Sequence, residues 1–201
     1  MRRHNKENTR KKILDAAMDV FSDKGYTAAL IDDIAERSDT SKGAFYFHFP
    51  SKRAIFQALL TTLVQRLVDD VEQAIDKQTG ALAKIEAAID TVLSTFTRHE
   101  KATRLLLVEA TGLGKAFDQE IHHAHEQFAK LIARHLQAAV DDGSIPPIPV
   151  MLTAYAWFGA IYEVLFMTLL SPEKKSLESL TTPLRDMLLR SIGQTSTPSS
   201  P

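Results

Sequence analysis

Between Ile31 and Lys52 the chain carries two short helical stretches separated by four small polar residues, and this is the feature that leaves it the fewest folds. Ile31 to Arg37 reads as a helix with Asp32 and Asp33 in its first turn, where the helix dipole favours acids. Ser38-Asp39-Thr40-Ser41 reads as a turn. Lys42 to Phe49 reads as a second helix, dense in aromatics, and Pro50-Ser51 breaks the chain before a long helix starting near Lys52. Helix, tight turn, helix is the layout of a helix-turn-helix, whose second helix is the right size for a DNA major groove. Residues 1–12 add Arg2, Arg3, Lys6, Arg10, Lys11 and Lys12 against Glu7 alone. A basic arm beside such a motif suits contact with phosphates.

Every other periodic stretch is helical too. Asn8 or Thr9 can cap a first helix whose Ile13, Ala16, Ala17, Val20 and Phe21 share a face and which Gly25 ends. The helix from Lys52 reaches about Lys77, with Ile55, Phe56, Leu59, Leu63, Leu67, Val71 and Ile75 on one stripe. A fifth helix carries Leu82, Ile85, Ile89, Val92 and Phe96, and a short apolar sixth covers Ala102 to Ala110. The seventh runs to about Asp141, and prolines at 146, 147 and 149 delay the eighth until Val150. A ninth spans about Leu177 to Ile192. No stretch alternates like a strand, so the expected fold is all-α with about nine helices. Residues 1–52 form the helix-turn-helix domain, 53–193 a larger helical domain, and 194–201 a tail whose composition predicts disorder.

The eighth helix, Val150 to Leu170, is nearly continuous in apolar residues and about as long as a membrane span. Glu163 in its middle and the lack of a second such segment favour a soluble helix buried on two sides, by its own domain and by a partner chain. With no secretory signal behind the basic N-terminus, the expected location is cytoplasmic, with no membrane partner. The chain has no cysteine, which excludes disulfides, thiolate metal sites and a cysteine nucleophile.

Taken together, Thr9-Arg10, Ile13-Leu14-Asp15-Ala16-Ala17, Phe21 with Lys24-Gly25-Tyr26, Ile34-Ala35, Ser41-Lys42-Gly43, Tyr46, His48-Phe49 and Ser51-Lys52 form an ordered, spaced set. In this set the chain resembles the TetR family of bacterial transcriptional regulators, over Thr9 to about Phe56. The resemblance implies three DNA-binding helices and a linking fourth helix. It also implies a ligand-binding domain and a dimer formed by the last two long helices. Ligand binding would then move helix four and spoil the spacing of two reading heads. Two places depart from the family pattern. Ala29-Leu30 stands where hydroxyl residues are usual, which removes a cap and a phosphate contact, and Ser38-Asp39-Thr40 replaces the usual Ala-Gly-Val turn.

The expected DNA contacts are Thr40, Ser41, Lys42, Gly43, Ala44, Tyr46, Phe47, His48 and Lys52. Lys42 heads the reading helix and can reach guanine acceptors, while Ala44 or Phe47 can touch a thymine methyl. Gly43 and Ala44 let the backbone come close, and Tyr46 and His48 can donate to phosphates. Lys52, with the N-terminus of its helix, makes a phosphate site. Phe45 and Phe49 are core. For an effector the expected lining is Leu63, Leu67, Phe96, His99, Leu105, Phe128, Tyr155, Phe158 and Tyr162, apolar and aromatic with a few polar handles. His122 and His125 lie one helical turn apart but lack a matching carboxylate pair, so they read as surface or pocket groups and not as metal ligands. There is no nucleophile elbow, HExxH, Walker loop or paired-carboxylate motif, so no catalytic residue and no cofactor is assigned. The expected partners are a palindromic double-stranded operator, a second copy through helices eight and nine, and a small apolar or aromatic effector.

Overall fold

The computed structural model describes residues 2–110, 115–171 and 176–193, so the tail 194–201 lies outside the described residues. Among the described residues there are nine α-helices and no strand. They are α1 (Arg2–Ala28), α2 (Ile31–Arg37), α3 (Lys42–His48), α4 (Lys52–Asp76), α5 (Ala81–Arg98), α6 (Glu100–Arg104), α7 (Lys115–Asp141), α8 (Val150–Leu170) and α9 (Glu178–Ser191). α6 runs on into a π-helical turn, Leu105–Glu109. Asn8 and Thr9 do not cap the first helix, which extends back to Arg2. No glycine or proline interrupts residues 2 to 8, and Arg2, Arg3, Lys6 and Glu7 among them are good helix formers. Gly25 does break it: φ 75°, ψ 158° is backbone territory essentially closed to other residues.

Two apolar clusters organise the helices. The first joins α1, α2, α3 and the start of α4, with Ile13, Ala17, Phe21, Ile34, Phe45, Ile55 and Phe56 all fully buried. Phe21 and Phe56 meet edge-on at 5.3 Å, one of the arrangements aromatic pairs prefer. Leu105 and Ala110, from the far end of the α6 segment, complete this cluster. The second cluster joins α5, α7, α8 and α9. α4 contributes a separate stripe, Leu67, Val71 and Ile75, that faces α5 and α7.

α8 is apolar on all sides but buried on one. Ala154, Trp157, Ile161, Leu165 and Leu169 point inward at helical spacing, and Met151, Leu152, Tyr155, Met167 and Leu170 face out. By length and composition it is also the one described helix that could cross a membrane. Trp157 Nε1 donates to Ser191 Oγ at 2.9 Å, tying α8 to α9. Arg185 ties α9 to α5, with Nε to Asp90 at 2.7 Å and Nη2 to Glu86 at 3.1 Å.

Candidate nucleic-acid interface and ligand cavity

The reading helix is set by its caps. Ser41 Oγ accepts the Ala44 N–H at 3.1 Å and starts α3, and Ser51 Oγ does the same for Ala54 and α4. In the turn, Asp39 takes φ 51°, a left-handed conformation that aspartate tolerates better than most residues. Ser38 is buried and donates to the Ala35 carbonyl at 3.1 Å, and its Oγ lies 2.8 Å from Thr40 Oγ1. Thr40 therefore closes the turn. Phe45 and Phe49 point into the core, which leaves Lys42, Gly43, Tyr46 and Phe47 on the outward face of α3. Phe47 is 70% exposed and, with Tyr46 at 47%, forms an apolar, aromatic part of this face. A side chain at Gly43 would meet only Ser41 Oγ, at 3.9 Å, so the backbone there is open to close approach.

Charge around this face is paired. Lys42 Nζ sits 2.7 Å from Asp32, whose carboxylate raises the lysine's affinity for its proton. The basic arm is the first part of α1 and lies along the reading helix. Lys6 stands 4.8 Å above the Phe47 ring and Arg10 5.3 Å from that of Phe49. Partial burial, then the charges of Lys6 and Arg10, hold His48 below the usual imidazole range. Leu30 has no oxygen with which to cap α2. Asp33 supplies the other half of a capping box by accepting the Leu30 N–H at 3.0 Å, with Lys24 at 2.8 Å on the same carboxylate.

Lys52 is not placed to hold a phosphate. Its ammonium donates to the carbonyls of Tyr26, Thr27 and Ala29 at 2.8, 3.1 and 3.0 Å and lies 4.7 Å from the Tyr26 ring centre. The break at Gly25 leaves carbonyls at the end of α1 in need of donors, and an ammonium has three. The Lys52 side chain therefore staples α1 to α4.

A cavity of about 1060 Å³ lies between α4, α5, α7, α8 and the π turn. Of the nine residues expected to line it, Leu67, Phe96, Phe128, Phe158 and Tyr162 do. Four do not, and each is displaced around or along its helix. Leu63 packs against the head cluster, and Leu105 is fully buried within it. His99 joins α5 to α6, its carbonyl accepting the Thr103 N–H at 2.9 Å. Tyr155 faces outward on α8. One residue along a helix turns a side chain by about 100°, enough to exchange wall for exterior.

The lining also includes Trp157, within the aromatic run of α8, and Val64, Val71, Ile85, Val92 and His135, which were legible only as apolar or polar helix residues. His125 packs against Phe158 and Tyr162, ring centres 4.6 and 5.3 Å away, and burial followed by the charge of His122 lowers its proton affinity. His135 Nε2 is enclosed without a protein partner. Its proton affinity is lowered by burial and then by Arg134 and Lys84, against the opposing pull of Glu72. No group of metal-ligating side chains forms among the described residues.

Cavity and head meet at the π turn. Leu106 and Leu107 line the cavity, while Leu105 belongs to the head cluster. Glu109 Oε2 accepts the Tyr26 N–H at 3.2 Å, just past the Gly25 break. A Cβ at Gly25 would come within 3.3 Å of that carboxylate. About two helical turns before Glu109, Lys101 approaches Asp23 of α1 at 3.5 Å.

Two family models match the chain. One, described as bacterial regulatory proteins of the tetR family, covers residues 13–59. The other, described as a tetracyclin repressor-like C-terminal domain, covers 78–165. The chain is 35% identical over 101 residues, half of its length, to the HTH-type transcriptional activator FasR of Mycolicibacterium smegmatis. It is 28% identical over 140 residues, 70% of its length, to the HTH-type transcriptional regulator SrpR of Pseudomonas putida. These matches span 46% and 65% of the two relatives' own lengths. Its fold is that of a transcriptional regulator FadR from Bacillus subtilis solved in complex with stearoyl-CoA. That match has a TM-score of 0.80 and 21% identity, and it covers 89% of this chain and 96% of that one.

Proposed function

The chain belongs to the tetR family of bacterial regulatory proteins and is a DNA-binding transcription regulator, not an enzyme; from that premise we propose that it is a homodimeric repressor, released from a palindromic operator by an effector with a long apolar part. The observation that carries this reading is the continuous path from an apolar cavity through the π turn to the turn that ends α1. Residues 1–52 are the reading head and 53–193 the sensor. The head presents Lys42, Gly43, Ala44, Tyr46, Phe47 and His48 to the major groove, with Lys6 and Arg10 on the flanking phosphates.

The outward face of α8, with Met187 on α9, supplies the apolar surface for a second copy. Two heads one helical repeat apart, about 34–36 Å, would then meet successive major grooves. An effector that prefers a conformer with another spacing weakens DNA binding by its differential affinity for the two. The neighbour holding stearoyl-CoA supports a fatty acyl effector.

The test is to select DNA fragments with the purified protein and titrate stearoyl-CoA into the complex. Release at micromolar concentration is expected. Tight specific binding indifferent to every apolar acyl compound would overturn the effector half of the reading, and a flat dependence of affinity on salt would overturn the DNA half. A second reading, activation of transcription, draws support from the relative FasR, described as an activator. A reporter gene behind the selected site separates the two.

A further inference from the structure

We propose that the cavity measures the length of an unbranched acyl chain and reports it to the reading head through the carboxylate of Glu109. This rests on the acyl-effector reading and adds the chain length it requires and the residue that carries the signal. The cavity wall on α4 runs from Leu60 to Ile75, and that on α7 from Ile121 to Leu136. Each is fifteen residue steps, about 22 Å at ~1.5 Å per residue. An extended chain advances roughly 1.25 Å per carbon, so about 16 to 18 carbons fill that length.

One end of the cavity is shared with the head. Leu60 and Ala110 line the cavity and are also core residues of the head cluster, and Leu106 and Ile121 pack against it. The other end, at Ile75, Ile85 and His135, makes no contact with the head cluster. A chain of about 8 to 12 carbons held at the far end stops some 7 to 12 Å short of the head end. A chain of 16 to 18 carbons reaches Leu106 and Leu107.

These two leucines sit in a π-helical turn, which accommodates one residue more per hydrogen-bonded ring than an α-helix and often marks a functional position. The same turn ends in Glu109, whose carboxylate holds the Tyr26 N–H. Pressure on Leu106 and Leu107 shifts Glu109, and Glu109 bears on the segment between the Gly25 break and the Lys52 staple. The chain terminus is thereby coupled to the orientation of the reading helix. Glu109 acts through Tyr26 and is a positioning residue.

The experiment uses the full-length protein, its selected operator fragment, and the CoA thioesters of 8-, 12-, 16- and 18-carbon acids with free stearate as a further arm. Binding is read from the fluorescence of Trp157, the chain's one tryptophan and a lining residue. Release is read by gel shift. Wild type is expected to bind the 12-carbon thioester but release DNA at least tenfold more readily with the 16- and 18-carbon thioesters. Glu109→Ala is expected to bind stearoyl-CoA within twofold of wild type and to lose the release. Glu109→Gln, which keeps an acceptor oxygen, is expected to retain part of it.

Coupling is reciprocal, so operator DNA must weaken stearoyl-CoA binding in wild type and cease to do so in Glu109→Ala. Release by Glu109→Ala equal to wild type, or release independent of chain length, overturns this proposal and leaves the acyl effector standing. A Trp157 signal unmoved by any of the probes overturns the acyl effector itself. Release by stearate equal to that by its thioester assigns recognition to the chain alone, as proposed. Release by the thioester alone, at every chain length, assigns it to the CoA moiety and overturns the proposal.

Discussion

The head and the sensor are built from the same amphipathic helices and packed to opposite ends. In the head and the start of α4 packed on it, seven apolar side chains from four helices are fully buried around interlocked aromatic rings. In the sensor, α4, α5, α7 and α8 turn equally apolar stripes toward one another and leave about 1060 Å³ between them. A close-packed interior transmits strain and holds one geometry, as a reading helix that must register with base edges requires. An interior with a gap has lost contacts it could have made, and a ligand can supply them. The two regions share a wall: Leu105 is sealed in the head, Leu107 faces the cavity, and Leu106 between them touches both.

The largest expected effect tests that contrast directly. Phe56→Ala should cost about 3–5 kcal/mol in urea unfolding, the usual loss for a fully buried phenylalanine. Phe128→Ala, on the cavity wall, should cost clearly less, while weakening effector binding. Equal costs would mean that the wall is packed like the head. Next is the staple: Lys52→Met should destabilise the fold by about 2–3 kcal/mol by leaving three carbonyls without their charged donor. An unchanged urea midpoint would return Lys52 to the phosphate role first expected of it. On the reading face, Lys42→Ala should weaken operator binding by about 1–3 kcal/mol and leave folding untouched. Asp32→Asn, which frees Lys42 from its ion pair, should tighten binding in the same gel-shift titration.

The smallest expected effect is a pH dependence. His48, His125 and His135 all have proton affinities lowered in the folded state, chiefly by burial. Below about pH 6.5 the unfolded chain therefore binds more protons than the folded one. Their contribution to stability is complete above that pH and is lost as pH falls toward the folded-state values. Urea midpoints should drop between pH 7.5 and 5.5, and His125→Phe with His135→Leu should flatten the drop more than a change at His48. The reverse ranking would move the strain from the sensor to the head.

Much of this was legible in the sequence because helix periodicity and turn chemistry are local. The bounds of α2 and α3, the break at Gly25, the left-handed Asp39 and the burial of Phe45 and Phe49 all follow from residues within one or two turns. What failed was non-local. Lys52 at the start of a helix looks like an anion site until the carbonyls of Tyr26, Thr27 and Ala29, more than twenty residues earlier, are brought beneath it. Periodicity could not separate cavity wall from core either. Ile85, Ile89 and Val92 keep the same spacing whether a neighbour or a gap lies opposite. It did not reveal Glu109, an acid in an apolar stretch whose partner is a backbone N–H 83 residues away.

The staple at Lys52 has a mechanical consequence. By fixing the end of α1 to the first turn of α4 it makes the head and α4 one lever, with the cavity wall as its long arm. α4 has 25 residues and is about 37 Å long at ~1.5 Å per residue. A tilt of about 5° about its far end carries the head through roughly 3 Å, close to the ~3.4 Å between successive bases of one strand. Under the proposed effector reading, an adjustment of side chains in the cavity would be geared up to about a full step of the DNA, with the length of α4 setting the ratio and the joint at Lys52 passing it on.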